Sequence, residues 1–243
     1  MSRTIVIPDV HHRWNLALKP LEITANRYIF LGDYFDNFGD TLEDTANTVR
    51  QLIELSKRDD VTLLFGNHDI GYRFKGFECS GWTKEKCDLI NKMMPAEVWE
   101  KMQLVTYVDG FILSHAGLAE SIFSHPIDGI TPEYVAKLCV EGLEHAQLGI
   151  YTPALTPGQA RGGRQRQGGL DWLDFNQEFA PIKGINQIFG HTPAPSARQS
   201  STEDSINWCI DTHSKGFVIL ENGKVFPQEI KMVDFLKDKL SEV

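Results

Sequence analysis

Residues 5–12 read Ile5-Val6-Ile7-Pro8-Asp9-Val10-His11-His12, a short apolar run that ends in a carboxylate and two imidazoles. The pattern recurs twice. Tyr28-Ile29-Phe30-Leu31 is broken by Gly32 and followed by Asp33-Tyr34-Phe35-Asp36, and Val61-Thr62-Leu63-Leu64-Phe65 is followed by Gly66-Asn67-His68-Asp69. Each apolar run has the length of a buried strand. Asn, Asp and Gly favour turns, so a single such cluster reads as a strand-ending turn. Three at successive strand ends point to a shared site, because open α/β sheets place ligands beyond the carboxyl ends of their strands.

Outward from these runs, the periodicity predicts a helix over residues 41–58, with Leu42, Ala46, Val49 and Ile53 on its apolar face. Residues 74–82 read as a lid-like loop, and Glu85 through Met94 has helical character. Met102–Tyr107 and Phe111–Leu113 form a hairpin pattern across Asp109-Gly110, ending in Ser114-His115-Ala116-Gly117. A helix is expected over 132–148, with Pro132 near its start and Gly149 at its end. Residues 152–169 mix Pro153, Pro157 and glycines with Arg161, Arg164 and Arg166, the texture of a mobile excursion. A strand over 185–189 leads into Gly190-His191-Thr192-Pro193. Late strands follow around 206–210, 216–220 and 225–230, the last pair joined at Asn222-Gly223, and an amphipathic helix is expected over 233–240. Interleaved helices and strands imply a layered α/β architecture.

The chain has 243 residues, of which 42% are hydrophobic, enough for one sizeable core, so a single domain over 1–243 is expected. A net charge of −9 argues against general nucleic-acid binding, which needs a broad positive field. It leaves room for a small phosphorylated substrate, since bound cations reverse the potential of an acidic pocket. Cys79, Cys87, Cys139 and Cys209 show no CxxC spacing and read as scattered thiols of a reducing compartment. The N-terminal apolar run is too short for a signal peptide and no run could span a bilayer, so a soluble cytoplasmic protein is expected.

The polar residues at the strand ends are Asp9, His11, Asp33, Asn67, His115 and His191. Oxygen and imidazole donors suit Mn, Fe, Zn or similar divalent ions rather than a thiolate site. Asp33 is the natural bridge, since one carboxylate can offer an oxygen to each of two metals.

Asp9-Val10-His11, Gly32-Asp33-Tyr34-Phe35-Asp36, Gly66-Asn67-His68-Asp69, Ser114-His115-Ala116-Gly117 and Gly190-His191-Thr192-Pro193, in this order, resemble the signature of the calcineurin-like metallophosphoesterases. Ile210-Asp211-Thr212 resembles the terminal region of the phosphoprotein-phosphatase branch. The resemblance implies a four-layer αββα sandwich with two central mixed β-sheets, and two divalent metals, with Mn the first expectation and Fe/Zn or mixed occupancy the alternative. It implies that Asp9 and His11 hold one metal, that Asp33 bridges, and that Asn67, His115 and His191 complete the second site. It also makes His68 the candidate general acid and Asp36 its partner. His12 and Asp69 stand a tier lower, either as hydrogen-bonding support behind the site or as plain strand-ending residues.

One departure bears on substrate. Protein-phosphatase relatives commonly carry arginine after the second aspartate of GDxxD, and this chain has Asn37. Arg13, Arg73 and Arg164 are the candidate replacements for phosphate binding, with Asn67 beside them, and Arg161 and Arg166 rank lower. Gly190-His191-Thr192-Pro193 lacks the second histidine of the GHxH form of nuclease and phosphodiesterase relatives, and looks closer to phosphoprotein phosphatases and diadenosine-tetraphosphatase-like enzymes. The leading expectation is therefore a phosphomonoester or serine/threonine-type protein phosphatase acting on a phosphorylated small molecule, nucleotide or phosphoprotein. Hydrolysis of a dinucleoside polyphosphate or cyclic nucleotide is the enzyme alternative, with Tyr72, Phe74, Trp82 and Trp172 available to stack on a base. A catalytically inactive phosphate-binding regulatory protein is the third.

Overall fold

The computed structural model describes residues 2–123 and 130–230. Its strands are β1 (Arg3–Ile7), β2 (Arg27–Phe30), β3 (Val61–Leu63), β4 (Val105–Val108), β5 (Phe111–Ser114), β6 (Asn186–Phe189), β7 (Arg198–Ser201), β8 (Ile206–Cys209), β9 (Gly216–Glu221) and β10 (Lys224–Glu229). Its α-helices are α1 (Trp14–Ala17), α2 (Leu42–Leu55), α3 (Asn67–Arg73), α4 (Lys84–Met93), α5 (Ala96–Lys101) and α6 (Pro132–Gln147). The helix expected over 233–240 lies outside the described residues.

The strands form two mixed sheets, ordered β10-β9-β1-β2-β3 and β4-β5-β6-β8-β7. In the first, β1, β2 and β3 are parallel, with Val6 opposite Ile29 and Ile29 opposite Thr62. In the second, β5, β6 and β8 are parallel, with antiparallel strands at both edges. Parallel neighbours deliver their carboxyl ends to the same edge, so the polar clusters after β1, β2 and β3 meet there.

Side-chain alternation explains why the sheets face each other. Val6, Ile29, Leu31 and Leu64 pack with Phe111, Leu113, Ile188 and Val218 in a layer between the sheets. Their neighbours Ile5, Ile7, Tyr28, Phe30 and Leu63 point the other way, into a cluster with Val49 and Leu52 of α2. On the second sheet Ile112 shares that role with Val135 and Cys139 of α6. Both faces of the central strands are therefore dry, and each large aliphatic side chain so buried contributes about 1.5–3 kcal/mol. The result is the expected four-layer sandwich.

Helix α2 begins at a reciprocal cap: Thr41 Oγ1 accepts from Asp44 N at 3.2 Å, and Asp44 Oδ2 accepts from Thr41 N at 2.8 Å. Ala46, Val49 and Leu52 are its buried stripe, whereas Leu42, expected on that face, is half exposed. The residue sits in the first turn, before the helix reaches the core. The glycine-rich segment 152–169 folds back onto the body rather than projecting from it. Glu178 is the anchor, its carboxylate accepting from Ala160 N at 2.7 Å and Gly168 N at 2.9 Å. Short helices α3 and α5 and strand β7 had no legible periodicity. All four cysteines are free. No helix among the described residues is long and apolar enough to cross a membrane.

Candidate metal centre

The six predicted donors converge at the carboxyl edge of the two sheets. Asp9, His11 and Asp33 form one group, and Asp33, His115 and His191 another, the donor atoms within each group lying no more than 4.8 Å apart. Asp33 belongs to both. Its Oδ2 lies 3.5 Å from His11 Nε2 and 3.4 Å from His115 Nε2, while its Oδ1 accepts from His68 N, in the first turn of α3, at 2.9 Å. Asn67 joins the second group, its Oδ1 3.1 Å from His115 Nε2.

Backbone geometry at these positions is unusual. His11, Asp33, Asp36 and His191 all have positive φ, between 45° and 66°. A left-handed conformation costs a residue with a Cβ about 1–2 kcal/mol, and such strain concentrates at functional sites. Gly66 permits the closest approach, since a Cβ there would collide with the Asp33 carboxylate and backbone nitrogen. Asp69 then ties the two strand-end loops together, accepting from Asp33 N at 2.8 Å, Tyr34 N at 2.9 Å and Gly66 N at 2.8 Å.

The donor set fits a pair of divalent cations. His11 Nδ1 faces the carbonyls of Phe35 and Asp36, at 3.1 and 2.6 Å, and His115 Nδ1 faces that of Leu31 at 2.9 Å. A carbonyl accepts only, so each Nδ1 carries the proton and each Nε2 presents a lone pair, as in metal-bound histidine whose other ring nitrogen donates to a carbonyl. His115 Nε2 and His191 Nδ1 face each other at 3.2 Å beside the Asn67 carbonyl oxygen, and His191 Nε2 is buried without a partner. Converging lone pairs of this kind need a proton or a cation between them.

Without a cation, protons answer the negative field instead. Burial works against a charged His115, but the Asp33 and Asp9 carboxylates push it up to about 10. His68 behaves likewise: burial opposes the charge, and Asp33 with the Asp36 hydrogen bond pushes it up to about 12. Burial and the neighbouring His115 charge hold His191 well below the usual range. Burial would raise Asp33, yet the charges of His115 and His68 keep it low.

His68 lies beside the cluster, its Nδ1 3.1 Å from Asp36 Oδ2. Asp36 is itself gripped from behind by residues that no motif advertised. Tyr72 Oη donates to its Oδ1 at 2.6 Å and Lys86 Nζ at 3.0 Å, while Lys86 also reaches Asp40 at 2.7 Å. His12 serves this support, not the donor cluster, through Thr48 Oγ1 at 2.7 Å and Asp40 at 2.9 Å.

Asp9, His11, Asp33, Asn67 and His191 line a cavity of about 880 Å³, with His115 buried behind them. Arg13 lines it and lies 3.4 Å from Asn37 Oδ1, so it occupies the neighbourhood of the missing arginine. Arg73 does not: it lines a separate cleft with Trp99 and Leu143 and stacks over Phe74, because it ends α3 on the side away from the strand termini. Arg164 is exposed and outside the cavity lining, whereas Arg161, ranked below it from sequence, lines the cavity and pairs with Asp174 at 3.0 Å. The alternation of a tight loop, invisible in composition, separates the two. Of the aromatic candidates, Tyr72 and Trp82 stack on each other and Phe74 is buried in the core, leaving Trp172 on the cavity wall with its ring 5.8 Å from that of His191. Asp211 and His213 also line the cavity, and only Asp211 had a sequence signal.

Comparison with known proteins agrees with this geometry. Residues 2–195 match the family model described as calcineurin-like phosphoesterase. The chain is similar in fold to the cold-active protein-tyrosine phosphatase of a Shewanella species, at 14% identity and a TM-score of 0.54, over 94% of this chain and 78% of that one. A further structure of cold-active protein tyrosine phosphatase gives 15% identity and a TM-score of 0.57 over 94% and 76%. None of the curated proteins compared with the chain matches it. With the family model spanning most of the chain and the donors converging at one sheet edge, the chain belongs to the calcineurin-like phosphoesterase family.

Proposed function

We propose that the protein is a two-metal phosphomonoesterase in which Asp9, His11 and Asp33 hold one cation and Asp33, Asn67, His115 and His191 the other. The observation that carries this reading is the position of Asp33, whose Oδ2 stands between His11 Nε2 and His115 Nε2 at 3.5 and 3.4 Å. When bound, two divalent cations supply Lewis-acid charge to a phosphate ester and make water a competent nucleophile at neutral pH. Mn is the expected working metal.

The chain's own residues do the rest. Asp36 holds His68 by Nδ1, leaving Nε2 to give its proton to the departing oxygen. Tyr72 and Lys86 keep Asp36 oriented and ionised: burial would raise it, and its bonds to His68, Tyr72 and Lys86 hold it below the usual carboxylate range. Arg13 and Arg161 would hold the phosphate, a role supported by their place in the cavity lining. Trp172 and the fully exposed Phe38 form an apolar rim for the rest of the substrate.

A phosphomonoester is favoured over a diester by Pro193, which stands where nuclease-like relatives carry a second histidine. The test is a panel of para-nitrophenyl phosphate, its bis-ester, phosphoseryl and phosphotyrosyl peptides and diadenosine tetraphosphate, run after chelation and Mn replacement. Hydrolysis of monoesters with little turnover of the bis-ester is expected. Exclusive cleavage of diadenosine tetraphosphate would replace the monoester reading with the dinucleotide one, and metal-independent turnover would end both.

A further inference from the structure

Cys79 lies on the loop between α3 and α4, and its thiol has no part in the reaction proposed above. Its Sγ is 3.5 Å from His68 Nδ1, on the ring edge that also faces Asp36 Oδ2 at 3.1 Å. The three donor atoms lie within 4.8 Å of one another, as a group separate from the two that share Asp33. Two features hold the loop there. Gly81 approaches Asp36 so closely that a Cβ would stand 2.8 Å from its Cβ and Cγ, and Lys86 Nζ donates to Gly81 O at 2.9 Å.

The Sγ–Nδ1 spacing matches a tetrahedral thiolate site, and the Nδ1–Oδ2 spacing of 3.1 Å lies close to one. With metal–sulfur near 2.3 Å and metal–nitrogen and metal–oxygen near 2.0–2.1 Å, tetrahedral angles place sulfur about 3.5 Å from nitrogen and nitrogen about 3.3 Å from oxygen. The donor types differ from those of the main centre in a way that discriminates between cations. Oxygen and imidazole accept Mn as well as Fe or Zn, whereas a thiolate favours softer ions such as Zn and Cd over Mn.

We propose that Cys79, His68 and Asp36 form a third, inhibitory metal site that takes Zn²⁺ or Cd²⁺. Binding releases two protons, that of the thiol and that of His68 Nδ1, and the cation takes the Nδ1 lone pair so freed. Nδ1 then no longer bonds to Asp36 through a proton, and Nε2–H becomes the weakly acidic N–H of a metal-bound neutral imidazole. A histidine in that state cannot protonate a leaving group. The inhibition rests on the assignment of His68 as the acid, while the site itself rests only on the three donors.

The experiment uses the full chain loaded with Mn and titrated with Cd²⁺. The ultraviolet cadmium–thiolate charge-transfer band reports the site, and phosphatase rate reports its effect. Wild type is expected to develop the band, and Cys79→Ser and Cys79→Ala to lose it, with Cys87→Ser retaining it. The cadmium concentration for half-inhibition, each rate referred to the same variant without cadmium, is expected to rise at least about tenfold in the Cys79 variants. A band of wild-type strength in a folded Cys79 variant would overturn the site. Unchanged cadmium sensitivity in those variants would overturn its inhibitory role. If no phosphate ester is turned over, the charge-transfer band still decides the site, and the failure belongs to the proposed function.

Discussion

His115 Nε2 and His191 Nδ1 face each other at 3.2 Å inside the protein, with the Asn67 side-chain oxygen 3.1 Å from the former. Three acceptor atoms so arranged repel unless a proton or a cation joins them. Metal binding is therefore expected to stabilise the fold. At a free Mn concentration one hundred times the dissociation constant, the gain is about 2.7 kcal/mol, which raises Tm by roughly 5–11 °C in a chain of this size. Thermal unfolding with Mn and after chelation measures it, and identical midpoints would contradict a metal centre here.

Protons and metal compete for His115. Its folded value in the cation-free protein, about 10, lies above the 6.5 of an unperturbed histidine. A raised value means that protonation stabilises the chelated fold fully below pH 6.5, and that this contribution fades as pH climbs toward 10. Mn needs the neutral ring, so adding it to chelated protein at pH 8 should release protons. An indicator dye in weak buffer reads the release, and its absence at pH 8 would show that His115 is not displaced from its proton.

Asp33 is shared by both donor groups, so one substitution should empty both. Asp33→Asn is expected to lower metal content at the two sites together and turnover at least about 100-fold. Elemental analysis alongside the assay separates this from a purely catalytic defect. Full occupancy in the variant would remove Asp33 from the bridging position.

A general acid matters most when the leaving group is poor. His68→Ala should lower turnover of a phosphoseryl peptide by about 10²–10⁴-fold, and of para-nitrophenyl phosphate far less, because nitrophenolate departs without a proton. Equal losses on the two substrates would instead make His68 a binder of phosphoryl charge.

Lys86 is 7% exposed and compensates Asp36 and Asp40 together. Lys86→Met leaves Asp36 with His68 and Tyr72 and Asp40 with His12, so the lost charge-assisted bonds should cost about 1.5–3 kcal/mol in unfolding free energy. Turnover should fall with KM nearly unchanged, since the Lys86 ammonium is taken up by Asp36, Asp40 and the Gly81 carbonyl. Chemical denaturation and steady-state kinetics test the two halves separately.

The arginines give a paired comparison. Arg13→Ala and Arg161→Ala are expected to raise KM for monoesters, and Arg73→Ala and Arg164→Ala to leave it close to wild type. A KM effect confined to Arg73 or Arg164 would reverse this reading of the cavity.

Much of the centre was legible in the chain because its donors follow apolar runs, and a strand's carboxyl end is a position that order along the sequence defines. Asp9, Asp33 and Asn67 needed only three parallel strands to meet, and His115 and His191 only a second such set. The supports were not legible. Lys86 is 50 residues from Asp36, and no local pattern distinguishes it from a surface lysine of an amphipathic helix. Cys79 reads as one more scattered thiol until the loop closes on His68. Arg161 and Arg164 differ by one turn of a loop tied to Glu178, and composition is blind to which way a loop turns. By itself, then, the sequence determined the chemistry of the donors and the edge at which they gather, since both follow from residue type and strand order. The tertiary structure decided which charges stand behind Asp36, which guanidinium groups enter the cavity and which sulfur reaches His68. Those depend on contacts between distant segments, and they exist only once the two sheets have packed.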